Sequence, residues 1–197
     1  MAYDSTATKE RILAAATAEF AAHGVAGARV DRIATQAQAN KRAIYDYFGD
    51  KNKLFAAVLE HLMADLARAV PPGDDDLPAY AERLFDYHRA HPEALRLLMW
   101  EALELGDQPV PGEQARTRHY EDKLRAAAGA ADAEAADVDD DARTRLFFTL
   151  GLVGWTLAMP QLRRMILGAD LPLDHLRPAI AQAVQGLAVP VTPAAEE

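Results

Sequence analysis

The stretch Val30-Asp31-Arg32-Ile33-Ala34, continued by Asn40-Lys41-Arg42-Ala43-Ile44-Tyr45-Asp46-Tyr47-Phe48-Gly49-Asp50-Lys51, decides the fold. It reads as two short helices, a tight link between them and the start of a third. Ile33, Ala34 and Ala37 fall on one face of the first piece at helical spacing. Asn40 is placed to cap the second, since its side-chain oxygen can accept from backbone N–H groups two or three residues on. In that second helix Ile44 points back to the core, while Lys41, Arg42 and Tyr45 flank the outward side. Asp50 is placed to cap a third helix, whose apolar stripe is Leu54, Phe55, Val58, Leu59, Leu62, Met63 and Leu66. Short helices that present cations and an aromatic hydroxyl outward, with no apolar excess, have the make-up of a helix-turn-helix.

From about Arg11 to about Val58 the chain resembles the DNA-binding head of the TetR (tetracycline-repressor) family. The resemblance rests on Arg11-Ile12-Leu13-Ala14-Ala15-Ala16, Phe20, Gly24, Ile33-Ala34, Ile44-Tyr45, Tyr47-Phe48, and Lys51 with Leu54. Two positions depart from it. The family usually has glycine in the turn at position 38, where this chain has Gln38, and a non-glycine residue with φ > 0 there is strained. The helix-start Ser or Thr common at position 29 is Arg29. The resemblance implies an all-α protein, with a three-helix helix-turn-helix head joined by a fourth helix to a larger ligand-binding and dimerisation body. We place the head at 1–69 and the body at 70–197, with about nine helices in all.

The whole chain carries a net charge of −9, which suits a DNA binder only when it is divided. Residues 1–70 hold nine Lys/Arg against eight Asp/Glu; residues 71–197 hold twelve against twenty-two. Within 29–53 there are six basic residues and three acidic ones, so positive charge gathers on the proposed DNA face. An acidic body repels phosphates and leaves the basic patch to set the orientation. With no cysteine, a disulfide framework or a thiolate zinc site is ruled out. No basic-then-apolar leader opens the chain. The longest uncharged run, Leu146 to Leu162, is shorter than the ~20 residues of a membrane span. A cytoplasmic protein without membrane contact is the expectation.

Punctuation divides the remainder. Helix one runs from about Thr8 to His23 and stops at Gly24. Helix four ends near Ala69, before the Pro71–Asp76 turn. Helix five, about Leu77 to Ala90, carries Tyr80, Leu84 and Tyr87 or His88 inward. Pro92 opens helix six, with Leu95, Leu98, Met99, Ala102 and Leu105 on its apolar face. Helix seven spans about Glu113 to Ala128, and Ala130 to Asp141 reads as a solvated loop or a frayed helix end. Helix eight, about Ala142 to Met159, is apolar nearly all round and must be covered on more than one side. Its small-residue stripe, Phe147, Gly151, Gly154 and Ala158, admits a close neighbour. Helix nine, about Leu173 to Leu187, offers Leu176, Ile180, Val184 and Leu187 on one face, with Ala179, Ala183 and Gly186 beside it. The resemblance implies that these last two helices pair with their copies in a four-helix homodimer seam.

Catalytic readings find little support. Ser5, the only serine, lies in the N-terminal tail, so serine and cysteine nucleophilic sites are excluded. No Gly-rich phosphate loop occurs. Asp137–Asp141 lacks the glycine and late glutamate of a calcium loop. His88 and His91 sit three apart and could ligate a metal with His119, but helix-surface histidines are usually only that. We therefore expect no enzyme, no cofactor and no metal.

The resemblance assigns the head's work to Arg29, Gln38, Asn40, Lys41, Arg42, Ala43, Tyr45, Tyr47 and Lys51. Lys41, Arg42 and Ala43 open the recognition helix, with Arg42 suited to a bidentate contact with guanine and Ala43 to a thymine methyl. Tyr45 and Tyr47 match backbone contacts, Arg29 and Gln38 suit phosphate, and Lys51 adds a cation at a helix start. Asp46 is the awkward residue of the outward arc: it repels phosphate, and it helps only if it accepts from a cytosine amine or orients Arg42. In the body, Tyr87, His88, Trp100, His119, Tyr120, Phe148, Trp155 and Met159 are the candidates to line an effector pocket. Glu101 and Glu104 favour a cationic ligand if they point inward. The expected function is sequence-specific transcriptional regulation: a homodimeric repressor on an inverted-repeat operator in double-stranded DNA, released by a small molecule. The alternative is a DNA-binding dimer governed by a protein partner, or an architectural one, without a small-molecule effector.

Overall fold

A computed structural model describes residues 5–71, 76–127 and 140–187, and the described residues form ten α-helices and one 3₁₀ turn with no strand. They fall into two compact units. One comprises Met1–Arg68 and His91–Glu113, the other Ala69–Ala90 and Gln114–Glu197. Residues 72–75 of the expected turn and most of the expected solvated loop, up to 139, lie outside the described residues.

The first unit holds α1 (Ser5–Gly27), α2 (Val30–Gln36), α3 (Lys41–Phe48), α4 (Lys51–Ala69) and α6 (Pro92–Leu105). Its core is the interlocked set Ile12, Ala16, Phe20, Ile33, Ile44, Leu54, Val58 and Leu59, with Phe20 and Phe55 in an edge-to-face contact at 5.1 Å. α1 begins at Ser5, so the lone serine belongs to a helix and not to a loose tail. It also runs past its expected stop: Gly24 breaks the helical geometry at φ +65°, and helix resumes to Gly27. Trp100 of α6 explains why glycine is needed there. A Cβ on Gly24 would lie 2.9 Å from the indole.

Helix α6 packs with the head helices because Leu97 is fully buried in their core and Arg96 Nε donates to the Ala21 carbonyl at 3.0 Å. Its buried face is Ala94, Leu97 and Glu101, one step round from the expected Leu95, Leu98 and Ala102 stripe. Glu104 is exposed while Glu101 is buried, so only one of the two glutamates points inward.

The second unit holds α5 (Leu77–Ala90), α7 (Glu113–Ala127), α8 (Asp140–Ala158), α9 (Pro160–Leu167), the 3₁₀ turn Leu173–His175 and α10 (Leu176–Gly186). α5 packs against both α8 and α10 and buries Tyr80, Ala81, Leu84, Phe85, Tyr87 and His88. Arg177 of α10 ties back to α5, reaching Asp86 at 3.0 Å and Glu82 at 2.9 Å. α9 is an element the sequence reading did not foresee. Pro160 reads as a stop for α8, yet proline suits the first turn of a new helix. The backbone turns at Met159 (φ −113°, ψ 63°) and starts again.

Candidate nucleic-acid interface

The two-helix reader is fixed by local chemistry. The Asn40 side chain accepts from the Arg42 N–H at 2.8 Å and opens α3. The Asp50 carboxylate accepts from the Lys53 N–H at 2.8 Å and opens α4, a bond that, chief among several causes, holds its carboxyl below the ordinary range. Ile44 is 2% exposed and anchors α3, so Lys41, Arg42 and Tyr45 are turned outward. Ala43 is half-buried between them.

The turn between α2 and α3 runs through Gln38 at φ +50°, the one non-glycine positive φ among the described residues. Arg11 of α1 holds that turn from below, its Nε donating to the Ala37 carbonyl at 3.2 Å. Where the resemblance has a hydroxyl cap, Arg29 supplies none. Glu19 of α1 takes over: its carboxylate accepts the Arg29 backbone N–H at 2.8 Å and the Arg32 guanidinium at 2.5–3.0 Å. Burial pushes the Glu19 carboxyl upward, but the Arg32 guanidinium and the Arg29 N–H outweigh it and hold it below its usual value. Glu19 falls on the inward arc of α1 beside Ala16 and Phe20. A charge on a buried arc is the sequence signal that would have marked it.

The cations of the reading surface already have partners. Lys41 Nζ lies 2.7 Å from Asp31 of α2, which raises its pKa by hydrogen bonding. Arg42 lies 3.8 Å from Asp46 one turn on. Lys51 is turned toward the protein: its ammonium donates to the carbonyls of Ala26 and Ala28, each at 3.4 Å, and braces the α1–α2 junction. Tyr45 is exposed, whereas Tyr47 is half-buried under Lys9, whose Nζ stands 5.3 Å from the ring centroid. The Arg29 and Gln38 side chains are exposed.

The aromatic and soft residues expected to line one pocket are dispersed. Trp100 packs on Gly24 in the first unit. In the second unit Tyr87 and His88 are buried in α5, and His119 and Tyr120 lie on α7 with rings 6.0 Å apart. Phe148 is exposed on α8. Trp155 and Met159 line an open apolar groove of about 270 Å³ between α8, α9 and α10. Of the expected dimer-seam residues, Phe147, Gly151 and Ala183 are exposed and Gly154, Ala158, Leu176 and Leu187 half-buried. Ile180 and Val184 are buried within their own protomer, because that face of α10 packs on α5. They are core residues, and the small residues beside them, Ala179, Ala183 and Gly186, form the outward face of α10. Among the described residues no helix is long and apolar enough to cross a membrane, and no His/Asp/Glu group has the arrangement of a metal site.

A capped two-helix reader on an all-α chain, with basic residues on its outward face, defines a helix-turn-helix DNA-binding regulator. Residues 12–58 match the model of the bacterial regulatory proteins of the tetR family, and residues 76–185 match the tetracyclin repressor-like C-terminal domain. The HTH-type transcriptional repressor SCO4008 of Streptomyces coelicolor is 46% identical over 188 residues, which are 93% of this chain and 96% of that one. The repressor Rv3405c of Mycobacterium tuberculosis is 32% identical, covering 91% and 88% respectively. The crystal structure of the transcriptional regulator SCO4942 from Streptomyces coelicolor superposes with a TM-score of 0.73 at 35% identity, over 91% of this chain and 97% of that one. The chain belongs to the TetR family of DNA-binding transcriptional regulators, whose members are ligand-responsive repressors.

Proposed function

We propose that this protein is a cytoplasmic repressor that binds an inverted-repeat operator as a homodimer and leaves it when a small molecule occupies its body. Residues 1–69 form the DNA-binding head and 70–197 the effector-binding and dimerisation body. The observation that carries the reading is α3: Ile44 locks the helix to the core, and Lys41, Arg42 and Tyr45 stand outward around it. Arg42 reads a guanine, Ala43 meets a thymine methyl, Tyr45 and Arg29 hold phosphate, and Lys51 and Tyr47 position the reader. Two-fold pairing is supported by the apolar outward face of α8, where Phe147 and Trp155 are more than half exposed.

The test is selection of bound sites from random double-stranded DNA, repeated against a panel of metabolites. Paired, inverted half-sites about one helical turn apart and release by at least one compound are the expected results. Asymmetric single half-sites bound by monomer would overturn the two-fold reading. Release by a protein partner alone would overturn the effector.

A further inference from the structure

Helix α7 is held by an unusual residue. Of its described side chains only Lys123 and Leu124 are buried, each 6% exposed. A lysine is among the residue types least often found in such a place, because desolvating an unpaired ammonium costs several kcal/mol. Lys123 Nζ donates to the Tyr80 hydroxyl at 2.7 Å and lies 5.0 Å and 5.7 Å from the ring centroids of Tyr80 and Tyr120. These neighbours are neutral. Among the described residues no carboxylate stands against it, and the nearest acids along α7, Glu121 and Asp122, are drawn to Arg125 at 3.9 Å and 2.6 Å. Burial brings the Lys123 ammonium down to about 8.

A second group points the same way. His119 lies one turn before Lys123 on the same face of α7. Its Nε2 is buried without a hydrogen-bond partner, and burial first, then the nearby Lys123 charge, lowers its pKa. Among the described residues, then, a buried ammonium with no carboxylate against it and the phenol hydrogen-bonded to it join α7 to α5, and a ring nitrogen without a described partner stands one turn away on the same face of α7. One ligand group satisfies all three: a carboxylate, with two oxygens to accept from Nζ, from an Nε2–H and from the phenol.

We infer that the effector is a small organic carboxylate, its acid seated between Lys123, Tyr80 and His119 and its apolar or aromatic remainder against the rings of Tyr80 and Tyr120. This deepens the ligand-release reading and rests on it. Binding repairs the one expensive contact by which α7 is docked, so the anion tightens α7 against α5.

The probes are sodium benzoate, isosteric neutral benzamide and cationic benzylamine, followed by a panel of aliphatic and aromatic acids each beside its amide. They are added to the full chain in thermal melts. Acids should raise the melting temperature and their amides should not. Lys123→Met keeps the apolar stem without the charge; it should melt higher than wild type when unliganded and lose the response to acids. Lys123→Gln provides the same comparison if the methionine variant does not fold. Equal responses to acid and amide, no acid in the panel outperforming its amide, or an undiminished acid response in both variants would overturn the inference. Operator release by a neutral or cationic compound, unchanged in Lys123→Met, would overturn the anion while leaving ligand release intact.

Discussion

Glu19 shows how one buried side chain can replace a cap that the sequence lacks. Its carboxylate closes the start of α2 through the Arg29 N–H and holds Arg32 against α1, so the angle between α1 and the reader depends on a charged group at 6% exposure. Glu19→Gln keeps the shape but loses the charge-assisted bonds, which are worth about 1.5–3 kcal/mol each. We expect a loss of about 2 kcal/mol by urea melts at pH 7, with operator affinity falling because the reader is loosened. The carboxyl's folded pKa is depressed, so its contribution is full above the ordinary glutamate range and fades as pH falls through it. The wild-type and variant stability curves should therefore converge in acid. Gln38 makes the opposite case. Its φ of +50° costs a side-chain-bearing residue about 1–2 kcal/mol. Glycine would lift that cost but forfeit about 0.5–1 kcal/mol of chain entropy. The strain is larger, so Gln38→Gly should raise stability by somewhat under 1 kcal/mol. A drop in melting temperature would show that Gln38 makes a contact worth more than its strain.

At the scale of elements, what was legible in the sequence is what local chemistry decides. The caps at Asn40 and Asp50 and the inward Ile44 depend on neighbours within a turn, and they stand where the spacing placed them. Three things were not legible, each for a tertiary reason. α9 hides behind Pro160, because the same residue ends one helix and begins another. The buried face of α6 is set by Leu97 meeting the head core, which its own apolar stripe does not reveal. Lys123 sits in a polar helix where any lysine reads as solvated, and only packing buries it. Two measurements follow at this scale. In the reader, Arg42→Ala should cost about 1–3 kcal/mol and relax base preference at one position per half-site. Lys51→Ala should weaken binding evenly across sequences and also lower the melting temperature, since its ammonium braces Ala26 and Ala28. A changed sequence preference in the Lys51 variant would reverse these roles. In α7, Lys123 gives up its proton more readily folded than unfolded. Its penalty is complete below about pH 8 and shrinks as pH climbs toward its ordinary 10.5. Burial raises the Tyr80 phenol, so above its ordinary 10 the folded state loses ground again. Between pH 8 and 10 wild type should therefore gain stability relative to Lys123→Met, and parallel curves in urea melts would count against the buried ammonium.

The whole molecule sets two opposing charge problems. Its acidic majority, twenty-two Asp/Glu against twelve Lys/Arg in residues 71–197, makes two copies repel as they approach. An apolar seam must outweigh that repulsion if the protein is to bind as a dimer. α8 presents Phe147 at 71% and Trp155 at 58% exposure, an unusual display for large apolar side chains on a folded chain. Between them along the helix is Gly151, whose Cβ, if it had one, would meet nothing within 4 Å among the described residues of its own protomer. No described neighbour uses the space that glycine leaves, and we propose a partner helix as the reason to keep it. Gly151→Leu isolates that reason. Gly151 is exposed, a Cβ there meets no described atom within 4 Å, and leucine improves helix propensity by about 0.5–1 kcal/mol, so helix content by circular dichroism should hold. Across a two-fold seam the same side chain blocks the approach, so the variant should sediment as a monomer and lose tight operator binding. Salt supplies an independent check on wild type. Screening relieves repulsion between acidic bodies, so dimerisation should strengthen as ionic strength rises, while operator affinity falls through counterion release. If Gly151→Leu sediments as a dimer with operator affinity intact, the seam lies elsewhere on the molecule.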